Sequence, residues 1–500
     1  MAPEHLDVLV IGAGLSGIGA AATLRARRPG TTLAVLEARE RLGGTWDLFR
    51  YPGVRSDSDM ATYGYGFRPW RDGTTLADGA AILRYLADTA REHGVEGAIR
   101  YGHRVVRASW SSERARWTVQ AERTGPGVAP GTTVTLTCRF LHACTGYFRY
   151  EHGYAPDLPG ADAFRGRLVH PQLWPEDLDL TGRRVVVIGS GATAVTLVPA
   201  LAREAAHVTM LQRSPSWVAS LPSRDPVADR LRRALPPRAA AAAVRWKSAL
   251  LTAASYRAAR VAPRAVGRVL LRRLAAQLPA GFDVATHFTP SYAPWDQRLC
   301  VVPDGDLFAA LREGRAGVVT DRIETLTANG VRLASGRELA ADVVVTATGL
   351  ELLALGGMAL SVDGQDVDLA RTVAWRGMML SGVPDFAFTF GYTHASWTLR
   401  VDLVSAAVCR LLDRLDAPGC AVVTPGPAPA AGLAPLIALR SGYVARGIAA
   451  LPQQGPAQPW RVQQSHLNDR RVLRSARLTD GLRFTPAPAA SPARAPQEAR

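Results

Sequence analysis

Two short runs of small residues carry the first chemistry that this chain of 500 residues offers. Gly12, Gly14 and Gly17 stand at G-x-G-x-x-G spacing, and Gly189, Gly191 and Ala194 repeat the pattern with Thr193 inside it. Each run follows a short apolar stretch, Leu6 to Ile11 or Val185 to Ile188, and each opens a helical pattern. In such a turn one position permits the bend, one lets the backbone approach a pyrophosphate, and one lets helix and strand pack closely. The helix N-terminus then turns its unbonded N–H groups towards the phosphates. A lone triplet says little. Here the first is followed by "TTLAVLEAR", a strand ending in Glu37, twenty residues beyond Gly17. A carboxylate there accepts ribose hydroxyls and disfavours a 2′-phosphate, which leaves FAD or NAD. After the second triplet, "HVTMLQRS" ends in Arg213 and Ser214. A guanidinium beside a hydroxyl suits a 2′-phosphate, so this site is expected to take NADPH.

Gly43-Gly44 follows the first pair of strands, and a long segment from Trp46 to Phe67 comes next. A pliant backbone and then a wrapping segment favour FAD over NAD at the first site. Two such sites in one chain imply electron transfer from NADPH to FAD, as in disulfide reductases, simple oxidases and oxygenases. The five cysteines, Cys138, Cys144, Cys300, Cys409 and Cys420, form no C-x-x-C pair. A disulfide reductase needs paired thiols, so an oxygenase leads. The same scatter and odd count argue against a disulfide framework or a metal site, and no metal is expected.

Positioning these residues takes an α/β fold with two Rossmann-like domains. With 47% apolar and 20% charged residues the chain is globular, and its length exceeds a single ordinary core. Leu6 to Leu24 is apolar but broken by four glycines and preceded by no basic segment, so it reads as strand, turn and helix, not as a signal or a span. A cytoplasmic location is the expectation. The net charge of +16 is arginine-borne, Lys247 being the only lysine, and it is local. Residues 230 to 280 hold eleven arginines and Lys247 with no acid. Trp246, Leu250, Leu251, Tyr256 and Val269 interleave with them, which leaves two readings open: a solvated basic lid, or peripheral contact with a membrane surface. No nucleic-acid reader motif is present.

Further residues carry a resemblance. Phe164, Gly166, His170, Trp174 and Pro175 fit F-x-G-x-x-x-H-x-x-x-W-P, and Gly43, Gly44, Trp46, Tyr51, Pro52, Gly53 and Asp57 fit a longer signature. Both resemble the class B flavoprotein monooxygenases of Baeyer–Villiger type. The segments 287–308 and 378–404 are similar to the ethionamide-activating branch of that family. The match runs from about residue 6 to about 475.

The resemblance implies that NADPH reduces FAD and that O2 adds to the flavin at C4a, with NADP+ staying bound. An anionic C4a-peroxyflavin then attacks a ketone to give an ester or lactone. Its protonated form instead oxygenates sulfides, thioamides or amines. A flavin-binding scaffold without turnover is a third reading, opposed by the intact Asp57, Arg213 and Arg298. O2 and a small organic substrate are the expected partners, and the oligomeric state is left open.

By the same resemblance Asp57 orients Arg298, which lies over the flavin and stabilises the peroxide and the adduct. A fixed carboxylate keeps a cation charged and aimed, and a cation lowers the pKa of a nearby peroxide. Gly44, Thr45, Trp46 and Tyr63 are expected along the FAD. Tyr51-Pro52-Gly53 is expected to bend Asp57 towards it. His170 is read as a structural residue coupling domain movement to catalysis, and Trp174 as part of an apolar seam. His394 and Trp397 are placed on the substrate side. His394 stands where the branch has Asn, as either an inert side chain or an added acid–base group. Gln297 replaces a lysine, which shifts 2′-phosphate recognition onto Arg213.

The expected organisation is an FAD domain over 1–148 and 343–483 and an NADPH domain over 149–224 and 286–342. A helical insertion in the NADPH domain fills 225–285, and a disordered tail covers 484–500. "VVVTATG" (343–349) and "LHACTGY" (141–147) look alike and read as crossovers between the domains.

Overall fold

The computed structural model describes residues 2–475 and 477–486. Two parallel β-systems form the frame. In the first, Glu4–Ile11 lies between Leu33–Leu36 and Thr133–Ala143, parallel to both, inside a nine-stranded sheet. These strands are apolar on both faces because helices cover one side and an antiparallel layer the other. The second sheet has five parallel strands in the order Ala316–Thr320, His207–Gln212, Arg184–Ile188, Val343–Thr346 and Arg167–Val169. In each sheet a glycine turn leads from a central strand into a helix, Leu15–Arg27 in the first and Ala192–Leu201 in the second. The two strand–turn–helix units anticipated from the glycine spacing are both present.

One boundary moves. Val343–Thr346, expected to mark the return to the FAD domain, is a central strand of the second sheet. Its four residues are all buried because a core covers each face, with Val343 and Val345 in one and Val344 in the other. The chain rejoins the first sheet later, where Ala359–Val362 pairs with His103–Ser111. Beside that crossing runs the earlier one. Leu353 N–H donates to the Tyr147 carbonyl at 2.9 Å and Arg149 N–H to the Glu351 carbonyl at 2.9 Å, so the two crossovers are laced together.

The insertion forms three helices, Pro226–Ala234, Pro237–Val261 and Pro263–Ala275. Pro226, Pro237 and Pro263 begin these helices, where the missing N–H costs no hydrogen bond. The apolar residues interleaved with the insertion's arginines divide. Leu250, Leu251 and Val269 are outward, 49%, 65% and 48% exposed. Trp246 and Tyr256 turn inward instead and pack on His466 and His394. Among the described residues no helix is long and apolar enough to cross a membrane. The tail also starts later than expected: Leu482–Thr485 pairs antiparallel with Val422–Pro425, which takes up residues 484 and 485. The rest of the expected tail from 487 lies outside the described residues.

A buried carboxyl joins the first sheet to this C-terminal pair. Asp385 Oδ1 accepts the Val423 N–H at 2.8 Å, and its own carbonyl accepts the Leu141 N–H at 3.0 Å. Oδ2 is buried without a partner among the described residues. Burial raises this carboxyl from 3.8 to about 8. The folded chain therefore keeps a proton that the unfolded chain releases. Stability contributed here is complete below the unfolded pKa and is lost as pH rises from about 4 to about 8. The melting temperature of the parent should accordingly fall across that window relative to an Asp385→Asn variant. Parallel pH profiles for the two proteins would show that Asp385 is ionised in the fold.

Candidate functional site

The carboxyl ends of both parallel sheets open onto one cleft of about 1210 Å³. Ligands bind at such ends because strand-to-helix turns leave backbone N–H groups unbonded there. Gly14 and Gly191 precede the two helices, and neither helix has a side-chain cap. Gly12 takes φ +100°, and a Cβ on Gly17 would lie 1.7 Å from the Gly12 carbonyl oxygen. Only glycine lets this helix start so close to its strand. Gly17 and Ala194 do not line the cleft; they pack beneath the turns.

At the first end of the cleft, Gly12, Gly14, Glu37, Gly44, Thr45, Trp46 and Tyr63 form the lining. Glu37 Oε2 accepts the Ala13 N–H at 2.7 Å and Oε1 the Arg39 N–H at 2.9 Å. Burial raises its pKa against these two donors. Trp46 Nε1 donates to the Tyr63 hydroxyl at 2.8 Å, with the rings edge to face at 5.9 Å. At the second end lie Gly189, Gly191, Thr193, Arg213 and Ser214. Arg213 is exposed at the end of its strand, and among the described residues it makes no ion pair. The unpaired guanidinium, the two uncapped helix starts and the length of the cleft between them fit FAD at one end and NADPH at the other.

Between the two ends stands an ion pair. Arg298 Nε donates to Asp57 Oδ2 at 2.5 Å and Nη2 to Oδ1 at 2.6 Å, a bidentate contact across 241 residues of chain. Both residues line the cleft. The carboxylate's charge raises the guanidinium's pKa, outweighing burial. Nη1 makes no hydrogen bond among the described residues. Two tyrosines accompany the pair. Burial raises the pKa of Tyr147 and of Tyr443, so both hydroxyls stay protonated beside Arg298. Neither was anticipated. Tyr147 follows a strand's carboxyl end, a position that could have marked it; Tyr443 carries no local signal.

The Tyr51-Pro52-Gly53 bend serves a contact that sequence did not disclose. A Cβ on Gly53, at φ +78°, would lie 2.8 Å from Ala200 Cβ in the helix of the second sheet. The Tyr51 hydroxyl meets the Thr193 side chain, and burial pushes its pKa up to about 12. The bend thus ties the wrapping segment to the second nucleotide unit, and Asp57 follows at the junction.

The fingerprint residues sit behind the cleft, and none of Phe164, Gly166, His170 and Trp174 lines it. His170 follows the edge strand Arg167–Val169, with its ring packed against Gly153. Burial lowers its pKa. Next to it, Gln172 donates to the carbonyls of Arg149 and Tyr150 at 2.9 and 3.0 Å, tying the crossover to the second sheet. Trp397 does line the cleft, stacks on Tyr147 at 5.3 Å and donates to Ser16 Oγ at 2.8 Å. His394 does not. It is buried behind the wall and stacked flat on Tyr256 at 3.8 Å. Burial, and then the charge of Arg298, lower its pKa to about 4. At neutral pH the ring is uncharged.

Known proteins resemble this chain over most of its length. The family described as flavin-binding monooxygenase-like matches residues 77–226, and the NAD(P)-binding Rossmann-like domain matches 10–74. The FAD-containing monooxygenase EthA of Mycobacterium tuberculosis is 52% identical over 489 residues, covering 97% of this chain and 99% of that protein. EthA of Mycolicibacterium smegmatis is 47% identical over 485 residues, 96% of this chain and 97% of the other. A solved structure of oxidised steroid monooxygenase bound to NADP superposes with a TM-score of 0.74 at 22% identity, covering 96% of this chain and all of that one, and shares the fold.

Glu37 offers a direct test of the first end. Glu37→Gln turns one of two accepting oxygens into an amide that faces a backbone N–H. Leaving that buried donor unmatched costs about 1–3 kcal/mol. Purified Glu37→Gln protein should carry less bound flavin than the parent and melt at a lower temperature. Equal flavin content and equal melting would show that neither amide depends on the carboxylate.

Proposed function

This chain belongs to the flavin-binding monooxygenase-like family, the class B flavoprotein monooxygenases, and from that premise we propose that it inserts one oxygen atom of O2 beside a ketone carbonyl, giving an ester or lactone. It is an FAD-containing monooxygenase, with NADPH as its second cofactor. The observation that carries the finer reading is the Arg298–Asp57 pair on the wall of the cleft that the two nucleotide ends share.

When bound, FAD supplies the redox chemistry by which two electrons from NADPH activate O2. The chain's own residues bind, aim and stabilise. Asp57 occupies Nε and Nη2 of Arg298, fixing the plane of the guanidinium and leaving Nη1 to donate. A donor held in advance needs no reorganisation when charge develops on oxygen during addition to a carbonyl. Tyr147 and Tyr443 offer neutral hydroxyls at the same wall. Trp397 and Tyr147 give the substrate an apolar, flat boundary. At the far end Arg213 grips the 2′-phosphate of NADPH, with Ser214 beside it.

Three measurements test the proposal. Arg298→Ala should still let NADPH bleach the flavin without oxygen, while ester formation falls by about 10²–10³-fold, the cost of removing one preorganised donor. Lactone output surviving Arg298→Ala would overturn the role given to Arg298, and in a competition between cyclohexanone and thioanisole on the parent, sulfoxide as the dominant product would overturn the carbonyl reading. Arg213→Ala should raise the KM for NADPH by about 10–100-fold, the equivalent of the ~1.5–3 kcal/mol of a charged hydrogen bond. The KM for NADH should stay put. A parallel rise for both cofactors would place Arg213 outside 2′-phosphate recognition.

A further inference from the structure

We propose that the long helix of the insertion, Pro237–Val261, is a brace that fixes both partners of the Arg298–Asp57 pair, with Arg245, Tyr256 and Arg260 as its positioning residues. The proposal rests on the catalytic reading of Arg298 given above. Two groups of contacts, fifteen residues apart on one helix, carry it. That spacing is about 22 Å at 1.5 Å per residue.

Near the start of the helix, Arg245 reaches the segment that follows Asp57. Its Nη1 donates to the carbonyls of Ala61, Thr62 and Gly64 at 3.3, 3.2 and 2.5 Å. These are carbonyls of the single helical turn Met60–Tyr63 and the residue that ends it. A short turn leaves its last carbonyls unbonded, and a guanidinium is suited to collect several at once. Nη2 is meanwhile anchored on Asp402 at 2.8 Å.

Near its end the helix grips the turn that carries Arg298. Arg260 Nη1 bonds Asp296 Oδ1 at 2.6 Å, two residues before Arg298. Within that turn Trp295 takes φ +72°, a left-handed backbone that a bulky residue seldom adopts without support from its surroundings. Its neighbours supply that support. Tyr256 meets the Trp295 ring edge to face at 5.9 Å and stacks on His394 at 3.8 Å, and Trp295 in turn stands edge-on to His394 at 6.3 Å. The Arg440 N–H closes the far side on the Asp296 carbonyl at 3.0 Å. A neutral imidazole stacks flat on a phenol without burying a charge, so the histidine at 394 works as a packing surface for the helix. Loosening either group of contacts lets one member of the ion pair drift relative to the other.

The test compares the parent holoenzyme with Tyr256→Ala, Arg260→Ala and His394→Asn, and with the charge-swapped double variant Arg260→Asp/Asp296→Arg. FAD content and anaerobic bleaching by NADPH serve as controls for the nucleotide ends. Amide hydrogen exchange is followed over residues 293–300. Peroxide release (NADPH + H⁺ + O2 giving NADP⁺ + H2O2) is measured without an organic substrate. The brace predicts faster exchange confined to 293–300 in the three single variants, and the rate of substrate-free peroxide release raised about three- to tenfold, within the ~100-fold that a 1 Å misplacement can cost. The charge swap should recover much of both. Exchange unchanged over 293–300, or raised alike across both sheets, overturns the brace. Local exchange that rises while peroxide release stays parental supports the brace and counts against the role given to Arg298.

Discussion

A charged pair between two loops far apart in the chain is the constraint on which the rest of this molecule depends. Arg298 and Asp57 are distant in the chain and meet in a cleft made for large ligands. An arginine facing such a cleft is useful only if it stays charged and keeps one orientation. Asp57 provides both, because two parallel hydrogen bonds fix the guanidinium plane and the opposite charge offsets desolvation. The pair therefore requires two backbones to hold register with each other to within a fraction of an ångström. Much of the architecture beyond the two nucleotide units serves that requirement.

Three sets of contacts meet it. The crossovers at 144–150 and 347–353 are hydrogen-bonded side by side, so the sheets cannot slide independently there. The Tyr51-Pro52-Gly53 bend presses the Asp57 segment against the helix of the second sheet, close enough that a Cβ at Gly53 would collide. The insertion helix spans the remaining gap. His170 and Trp174 lie off the cleft, His170 packed on Gly153 and Trp174 against the core of the second sheet.

Some of this was legible in the residues. The glycine triplets, the acid at 37 and the arginine at 213 announced two nucleotide units because each is a local device: turn, helix start and strand end lie within about thirty residues. The surroundings of Trp246 and Tyr256 were not legible, for the opposite reason. Aromatic residues interleaved with arginine look alike whether the face is turned to lipid or to a neighbouring loop, and only the docked helix shows which. The strand Val343–Thr346 misled in a similar way. Its apolar run announces a buried parallel strand, but nothing in the run says which of two parallel sheets will pair with it.

Sequence by itself determined the α/β class, the two dinucleotide units and the chemical types at each end of the cleft, since those follow from periodicity and spacing along a short span of chain. Tertiary structure alone decided that Arg298 would meet Asp57 through Nε and Nη2, that Tyr147 and Tyr443 would stand beside them, and that His394 would pack behind the wall as an uncharged ring. Those outcomes depend on how far apart two sheets settle and what fills the space between them. Distance, burial and the local field set charge state and donor direction, and none of the three is written in the order of the residues.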